Sequence, residues 1–172
     1  MCVTTRPGKE QLPGQWCTHA RILARRRPVL RRSGLDEVHG ALDTAIERAP
    51  ESFGGVHPMI IGKDRVVADE QFEDRSPIDD RIVLGRFQSG TAQHVQNAVA
   101  AARRALPEWS LLPWQERVGR MRGVAEAIRE HRWELSVILG YEVGKNRLEC
   151  VGEVEECSDF VDYYCDRMEE HV

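Results

Sequence analysis

The longest regular pattern in this 172-residue chain lies near its carboxyl end, in residues 146–170. Apolar or small residues recur there at alternating three- and four-residue steps, the spacing that places side chains on one face of an α-helix. Such a helix would be about 36 Å long at 1.5 Å per residue. Its small residues predict close packing against another element of the chain. The stripe consists of Val151, Val154, Ser158, Val161, Cys165 and Met168.

The same helix carries a run of acidic residues, for which two interpretations are open. A solvated helix face explains most of the run. Glu156 differs because it lies four residues before Phe160 and seven before Tyr163, on the same side of the helix. A carboxylate beside two aromatic rings is suited to bind a cationic group of a ligand. The residues that we assign to the solvated face are Glu149, Glu153 and Glu155.

Three further stretches show helical spacing of apolar residues. Residues 36–49 predict a short helix that Pro50 ends. Residues 91–106 predict a helix that is capped by Ser89 or Thr91 and ends before Pro107, and residues 113–140 predict one continuous helix. The stripes that we expect to be buried in these two helices are Val95, Ala98, Val99, Ala102 and Leu106, and Val118, Met121, Ala125, Ile128, Leu135 and Leu139.

Residues 58–88 predict a small β element between the first two of these helices. Segments 59–61 and 65–67 have the composition of two short strands joined by a tight turn, and residues 81–87 predict a third strand. The flanking segments 52–57 and 74–80 have the composition of loops. The chain alone is therefore predicted to be mostly α-helical, with a β element too small to be stable by itself.

Charge divides the chain into two parts. Residues 1–35 contain eight basic side chains and one acid, a net charge of +7, which leaves −11 for residues 36–172 out of the total of −4. Because they show no apolar periodicity, we predict a disordered basic leader; binding to nucleic acid is the less favoured alternative. No apolar run reaches the roughly 18 residues of a membrane span, and no signal-peptide pattern is present, which predicts a cytoplasmic protein without a membrane partner.

Cysteines, histidines and glycines reveal no catalytic motif, and we predict no catalytic residue in this chain. Five cysteines without a secretory signal argue against a disulfide framework, and none of the six histidines pairs at zinc-ligand spacing. We interpret Cys150 and Cys157 as small buried side chains. Segment 140–146 contains Gly144 and Lys145 but lacks the spacing and the Ser/Thr of a phosphate-binding loop. Gly144 instead predicts a left-handed helix cap.

Several short motifs follow one another along the chain. They are Pro58-Met59-Ile60-Ile61-Gly62-Lys63, Ser76-Pro77-Ile78-Asp79, Ile82-Val83-Leu84-Gly85, Val95 to Trp109, Glu116-Arg117, Ala125 to Leu135, Glu142-Val143-Gly144-Lys145, Glu156-Cys157-Ser158-Asp159-Phe160, Tyr163-Tyr164 and Arg167-Met168. Taken in order, the motifs resemble the amino-terminal part of the aldehyde dehydrogenase family. The last three resemble one branch of that family, the L-glutamate γ-semialdehyde dehydrogenases, also called 1-pyrroline-5-carboxylate dehydrogenases.

The resemblance implies an α/β fold of the aldehyde dehydrogenase type, of which residues 36–172 form only the amino-terminal segment. It implies NAD-dependent oxidation of the semialdehyde to glutamate in proline degradation, through a thiohemiacetal on a cysteine that belongs beyond Val172. Glu156 matches a glutamate beside the substrate pocket, which holds the α-ammonium group of the substrate or positions water. Glu142 matches an acidic ligand of a structural monovalent cation.

Two functions are compatible with this resemblance. In the first, the chain is the amino-terminal part of the dehydrogenase and is inactive alone, because the catalytic cysteine and the cofactor-binding unit are not in its sequence; NAD is then not expected to bind it. In the alternative, the chain is an oligomerisation or interaction fragment. Its β element at 58–88 would bind the remainder of the enzyme or a second copy, and so complement or modulate a full-length aldehyde dehydrogenase.

Overall fold

The computed structural model describes residues 34–171. The predicted leader therefore lies outside the described residues, except that Leu35 already begins the first helix. Among the described helices, none combines the length and the apolar character that crossing a membrane requires. In chain order the elements are α1 Leu35–Arg48, a 3₁₀ helix Ala49–Ser52, β1 Gly55–His57, β2 Met59–Ile61, β3 Asp64–Val66, β4 Gln71–Arg75, β5 Val83–Gln88, α2 Ala92–Leu111, α3 Trp114–Glu130, α4 Arg132–Val143 and α5 Arg147–His171.

Helix α1 confirms the prediction of a helix at 36–49. Its buried side is formed by Val38 and Leu42, and Asp36 and Glu37 lie in its first turn, where negative charge is favourable. The α-helix ends where Pro50 enters the chain, and the backbone continues as the 3₁₀ helix. Proline has no N–H with which to continue an α-helical hydrogen-bond ladder, so the position of this end follows from the sequence.

The hairpin prediction is also confirmed. Strands β2 and β3 are antiparallel, with Met59 opposite Val66 and Ile61 opposite Asp64. The turn between them contains Gly62 at φ 64°, a left-handed conformation that favours glycine. The second strand begins and ends one residue earlier than predicted.

A second sheet has the order β1-β5-β4, with β5 parallel to β1 and antiparallel to β4. The strand predicted at 81–87 is found as β5. The loop predictions for 52–57 and 74–80 are wrong at residues 55–57, which form β1, and at residues 74–75, which end β4. β1 has only three residues and pairs with β5 thirty residues later in the sequence, so its local composition does not indicate it, whereas β4 pairs with β5 across the connection 76–82. Side chains of β5 reinforce the pairing: Arg86 Nη1 donates to the Gly54 oxygen at 2.8 Å, and Gln88 Nε2 donates to the His57 oxygen at 3.0 Å.

Helix α2 differs from the prediction in its end and in its burial. The predicted cap at Thr91 is confirmed, since its hydroxyl accepts from the His94 N–H. The predicted end before Pro107 is wrong because the helix continues through it to Leu111; an exposed helix can lose the one hydrogen bond that proline cannot make. The buried face is also wrong: none of the residues of α2 is buried.

The continuous helix predicted at 113–140 is two helices, so residues 91–170 hold four helices and not three. Helix α3 ends at Glu130 and α4 begins at Arg132, with His131 between them at φ −97° and ψ 13°. The predicted stripe is buried at Val118 and Ala125 but exposed at Met121 and Leu135. His131 departs from helical backbone angles, and the apolar period that continues across both helices does not reveal this break.

Helix α5 confirms the predicted long helix within one residue at each end. It packs mainly against α3 and α4. Its buried residues include four of the predicted stripe, while Met168 stays 37% exposed. The full buried set is Cys150, Val151, Val154, Ser158 and Cys165.

The hydrophobic core is formed by residues of α1, the 3₁₀ helix, α4 and α5. It contains Val38, Leu42, Ala49, Val137 and Val151. Two contacts lie at the edge of the core. The Phe53 and Tyr141 rings meet edge to face at 5.1 Å, and Arg147 of α5 pairs with Asp43 of α1 at 2.7 Å. The described residues are thus mostly helical with a small β element, as predicted.

Candidate functional site

Glu156 lies on the side of α5 that faces away from the core. Successive residues of an α-helix are rotated by about 100°, so Phe160, Tyr163 and Arg167 project on the same side as Glu156. The buried residues of α5, among them Val154 and Ser158, project on the opposite side. We call the row Glu156, Phe160, Tyr163 and Arg167 the Glu156 ridge. The predicted neighbourhood of a carboxylate and two aromatic side chains is therefore present along one helix side.

The ridge is half-exposed and contains one negatively charged side chain, Glu156, and one positively charged side chain, Arg167. Glu156, Tyr163 and Arg167 are partly buried, and Phe160 is 37% exposed. The Arg167 guanidinium lies 5.4 Å from the centre of the Tyr163 ring, and it pairs with Glu170. The Arg167 Nε atom is buried and makes no hydrogen bond. This side of α5 offers a carboxylate, an aromatic surface and a cation along one row.

An ion-pair cluster between α3 and α5 fixes the helix that carries the ridge. Arg122 contacts Asp166 at 2.9 Å, Glu169 at 3.0 Å and Asp162 at 3.4 Å. Hydrogen bonds to Asp166 and then to Glu169 outweigh partial burial and raise the pKa of Arg122 above its ordinary value. Three carboxylates on one side of α5 thus share a single guanidinium of α3.

A second group of pairs continues along the same side of α5. Arg129 bonds Asp162 and lies 3.8 Å from Asp159, and Arg132 of α4 lies 4.0 Å from Glu155. Burial opposes the charge of Arg129, but its pairing with Asp162 and the nearby Asp159 holds its pKa above the ordinary value. Assigning Glu155 to the solvated face is therefore wrong. Much of the acidic run thus forms ion pairs that join α5 to α3 and α4. The sequence signal that could have indicated these pairs is the presence of Arg122 and Arg129 seven residues apart on α3.

An apolar cavity of about 390 Å³ borders the ridge at Phe160. Trp109 at the end of α2 and Trp114 at the start of α3 form one wall, and Tyr164 of α5 forms another. The Tyr163 and Tyr164 rings meet edge to face at 5.3 Å. Sequence reasoning did not single out this cavity, although the two tryptophans on either side of the α2–α3 junction indicate an aromatic surface there. The space suits an apolar group rather than a charged one.

The cysteines offer no activated nucleophile among the described residues. Cys150 and Cys165 are buried, and burial raises the pKa of both thiols. Cys157 is exposed, so its predicted burial is wrong: it lies 100° from Glu156 on the solvent side of α5. A thiol whose pKa is raised is mostly protonated at neutral pH and reacts slowly.

Glu142 lies at the exposed carboxyl end of α4, five residues before α5 begins. Gly144 follows it in the left-handed conformation, at φ 71°, and its N–H donates to the Gly140 oxygen at 2.9 Å, which confirms the predicted helix cap. Within residues 34–171 no group of three or more His, Cys, Asp or Glu side chains is placed to hold a metal ion. Cation binding at Glu142 stays a prediction.

Within the described residues, five α-helices beside two small sheets, with the Glu156 ridge on the last helix, are the arrangement that can be compared with known proteins. A profile of the aldehyde dehydrogenase family matches residues 66–172. The chain belongs to the aldehyde dehydrogenase family.

Two relatives that are similar in sequence are 1-pyrroline-5-carboxylate dehydrogenases. The chain is 29% identical over 128 residues to 1-pyrroline-5-carboxylate dehydrogenase 2 of Bacillus subtilis, which covers 74% of this chain and 25% of that protein. It is 29% identical over 124 residues to 1-pyrroline-5-carboxylate dehydrogenase of Staphylococcus aureus, covering 72% and 24%. The chain thus spans about a quarter of the length of these relatives.

Solved structures of two aldehyde-oxidising dehydrogenases superpose on the chain. The 1-pyrroline-5-carboxylate dehydrogenase from Thermus with bound NAD superposes with a TM-score of 0.73 at 25% identity, covering 95% of this chain and 28% of that one. A lactaldehyde dehydrogenase superposes with a TM-score of 0.63 at 32% identity, covering 66% and 24%. The predicted family and branch resemblance are confirmed.

Proposed function

We propose that this chain is the amino-terminal part of an enzyme that oxidises L-glutamate γ-semialdehyde to glutamate in proline degradation. The observation that carries the proposal is the Glu156 ridge, a carboxylate beside aromatic side chains on a helix within the family-matched region. The names of the relatives support the choice of substrate. The relatives are about four times as long as the matched region, which supports assigning only a part of the enzyme to these residues.

Glu156 is proposed to hold the α-ammonium group of the substrate. A carboxylate and an ammonium group attract strongly where the surroundings exclude water, and the aromatic side chains of the ridge provide apolar surroundings on one side. The ion pairs from Arg122 and Arg129 hold α5 against α3, which fixes the rotation of the helix and so the direction of Glu156. Glu156 positions the substrate and does not itself perform the oxidation.

NAD is proposed as the cofactor of the complete enzyme, as the family and the NAD-bound Thermus structure suggest. Bound NAD would accept the hydride from the substrate. The described residues do not fit this cofactor by themselves: β5 leads into α2 through 89–91, where a single glycine precedes a first turn closed by the Thr91 and His94 capping contacts. A dinucleotide loop needs several glycines there. We therefore derive no step through NAD from these residues.

The first experiment measures turnover by the chain alone. Purified chain, incubated with the semialdehyde and NAD, is expected to produce no NADH, because hydride transfer needs both reactants held in one site. Turnover by these 172 residues would show that the proposed inactivity is wrong.

A second experiment tests the substrate. In a chimera, this chain replaces the matched quarter of the Bacillus subtilis relative, and kinetics are compared for the semialdehyde and for propanal, which has no ammonium group. Glu156→Gln is expected to raise KM for the semialdehyde and to leave KM for propanal unchanged. Glu149→Gln, which alters an exposed carboxylate of the same helix, is the matched control. Equal effects of Glu156→Gln on both aldehydes would contradict the ammonium-binding role.

The alternative function is assembly through the β element. Its support is the exposed apolar surface of the strands, where Ile60 is 64% and Phe72 is 55% exposed. Sedimentation of the purified chain and co-purification with a full-length relative test this alternative. A strictly monomeric chain that captures no relative would count against it.

A further inference from the structure

A cleft of about 480 Å³ lies between α1 and the junction of α3 with α4. Its apolar lining comes from Ala41, Ala45 and Ala49 on the side of α1 and from Trp133 and Ile138 of α4. Alanines at four-residue steps lie on one face of a helix and fill little space, so side chains of another segment can enter between the two helices. We call this space the α1–α4 cleft.

The charged residues that line the α1–α4 cleft give it an acidic rim. They are Glu51 of the 3₁₀ helix, Glu130 at the end of α3, Glu134 in the first turn of α4, and Arg48, all of them exposed. Three carboxylates therefore face one guanidinium. His131, which also lines the cleft, lies 3.1 Å from Glu134. An apolar interior with an acidic rim is complementary to a segment that has both apolar and cationic side chains.

The chain itself contains such a segment just before α1. Residues 25–32 read Arg-Arg-Arg-Pro-Val-Leu-Arg-Arg, an apolar pair between five arginines. They belong to residues 1–33, which lie outside the described residues and hold eight basic side chains and one acid, a net charge of +7. The charge of −11 on residues 36–172 attracts this stretch.

The connection to α1 is long enough for this segment to reach the cleft. Ala45, in the middle of the alanine face, is ten residues after Leu35, which is about 15 Å along the helix. Five residues of chain that run back from Leu35 to Leu30 can span up to about 17 Å. Leu30 therefore reaches the apolar interior, and residues 25–27 reach the carboxylates beyond it.

We propose that residues 25–30 bind in the α1–α4 cleft of their own chain. Val29 and Leu30 lie against the alanine face, and the three arginines before them pair with Glu51 and Glu130. The short connection favours the chain's own segment over a separate partner, because tethering gives the segment a high effective concentration at the cleft. Helix α1 precedes the part of the chain that the family profile matches, and the proposal is independent of the proposed function.

Limited proteolysis of the 172-residue chain with trypsin, followed by mass spectrometry, tests the proposal. Trypsin cuts after Arg25 and Arg26 only while this segment is accessible, and cutting after Lys9 is the internal reference. The test variant is Glu51→Gln with Glu130→Gln, which removes two carboxylates of the cleft without adding a cleavage site.

The matched control is Glu108→Gln with Glu149→Gln, which makes the same change of charge at exposed positions that do not line the cleft. A second test variant, Val29→Ser with Leu30→Ser, removes the apolar pair and leaves every charge of the chain in place. Far-UV circular dichroism checks that each variant keeps the helix content of the parent chain.

The measured quantity is the rate of cutting after Arg25 and Arg26 divided by the rate after Lys9. Both test variants are expected to raise this ratio about threefold or more over the parent chain and the control, because each removes part of a contact made of exposed ion pairs and a small apolar surface. An unchanged ratio in either test variant would overturn the proposal. A ratio that falls as the concentration of the parent chain rises would also overturn it, in favour of binding to a second copy.

Discussion

Ser76 and Tyr141, 65 residues apart in sequence, are joined by a hydrogen bond of 2.6 Å from the Ser76 hydroxyl to the Tyr141 carbonyl oxygen. Ser76 is 2% exposed and follows β4, whereas Tyr141 lies in the last turn of α4. Carbonyl groups in the last turn of a helix have no partner within the helix. The bond therefore satisfies a helix end and fastens the sheet to the helical core.

Ser76→Ala is expected to lower the free energy of unfolding by about 1–3 kcal/mol, because it leaves the Tyr141 carbonyl without this donor at a partly buried site. Urea denaturation followed by circular dichroism measures the change. The control is Ser110→Ala, which removes a local bond to the Pro107 oxygen at an exposed site. A loss for Ser76→Ala no larger than for Ser110→Ala would contradict this role of the bond.

Arg129→Ala is expected to destabilise the protein by about 1–3 kcal/mol, since it removes the nearer of the two guanidinium partners of the Asp162 carboxylate, whose side chain is 16% exposed, and leaves only Arg122 at 3.4 Å. The matched control is Arg120→Ala in the same helix. Arg120 pairs with Glu116 at a site where the two side chains are 57% and 48% exposed, so the loss should stay below about 1 kcal/mol. Similar losses in the two variants would show that partial burial does not strengthen the α3–α5 pairs.

The amides of α2 are expected to exchange with solvent faster than those in the middle of α5. Helix α2 has no buried residue, and a helix in water is stabilised mainly by tertiary packing. Helix α5, by contrast, buries five residues. Hydrogen–deuterium exchange of the chain alone, read peptide by peptide, measures this difference. Equal protection of the two helices would mean that α2 is packed against something in solution.

Local signals in the sequence predicted the ends of α1 and α5, the β2–β3 hairpin and the Gly144 cap, because each depends on neighbouring residues. The predictions that were wrong concern features that depend on residues distant in the sequence. β1 is defined by pairing with β5, and the burial expected on α2 requires a partner that residues 34–171 do not supply. Glu156 was identified through family resemblance and helical spacing, whereas the Arg122 and Arg129 pairs that fix its helix became evident only once α3 and α5 lay side by side.

The three described cysteines should differ in the rate at which their thiols are alkylated. Cys157 is exposed and is expected to be alkylated first, while Cys150 and Cys165 react slowly until the protein unfolds. Mass spectrometry of iodoacetamide-treated peptides at successive times measures the order. Fast alkylation of Cys150 in the folded chain would contradict its burial against Gly140 of α4.

The same burial gives stability a pH dependence. Burial raises the folded-state pKa of Cys150 above that of an exposed thiol. The protonated form is therefore favoured in the folded state, and its contribution to stability is complete below the ordinary thiol pKa of about 8.5 and lost as pH rises through the folded-state pKa. Thermal unfolding between neutral and alkaline pH should show a steeper decline for the parent chain than for Cys150→Ala.

Two glycine substitutions should change the free energy of unfolding in opposite directions. Gly144→Ala places a Cβ atom at φ 71°, where L-residues are strained, and is expected to cost about 1 kcal/mol. Gly119→Ala lies inside α3, where an added Cβ atom meets no other atom within 4 Å, and it should stabilise the chain by about 0.5–1 kcal/mol because alanine loses less backbone entropy in a helix. Urea denaturation of the two variants beside the parent chain measures both changes. If Gly144→Ala were neutral, the α4–α5 junction would not depend on the left-handed cap in solution, and the direction in which α5 presents Glu156 would have to be fixed by the α3–α5 ion pairs alone.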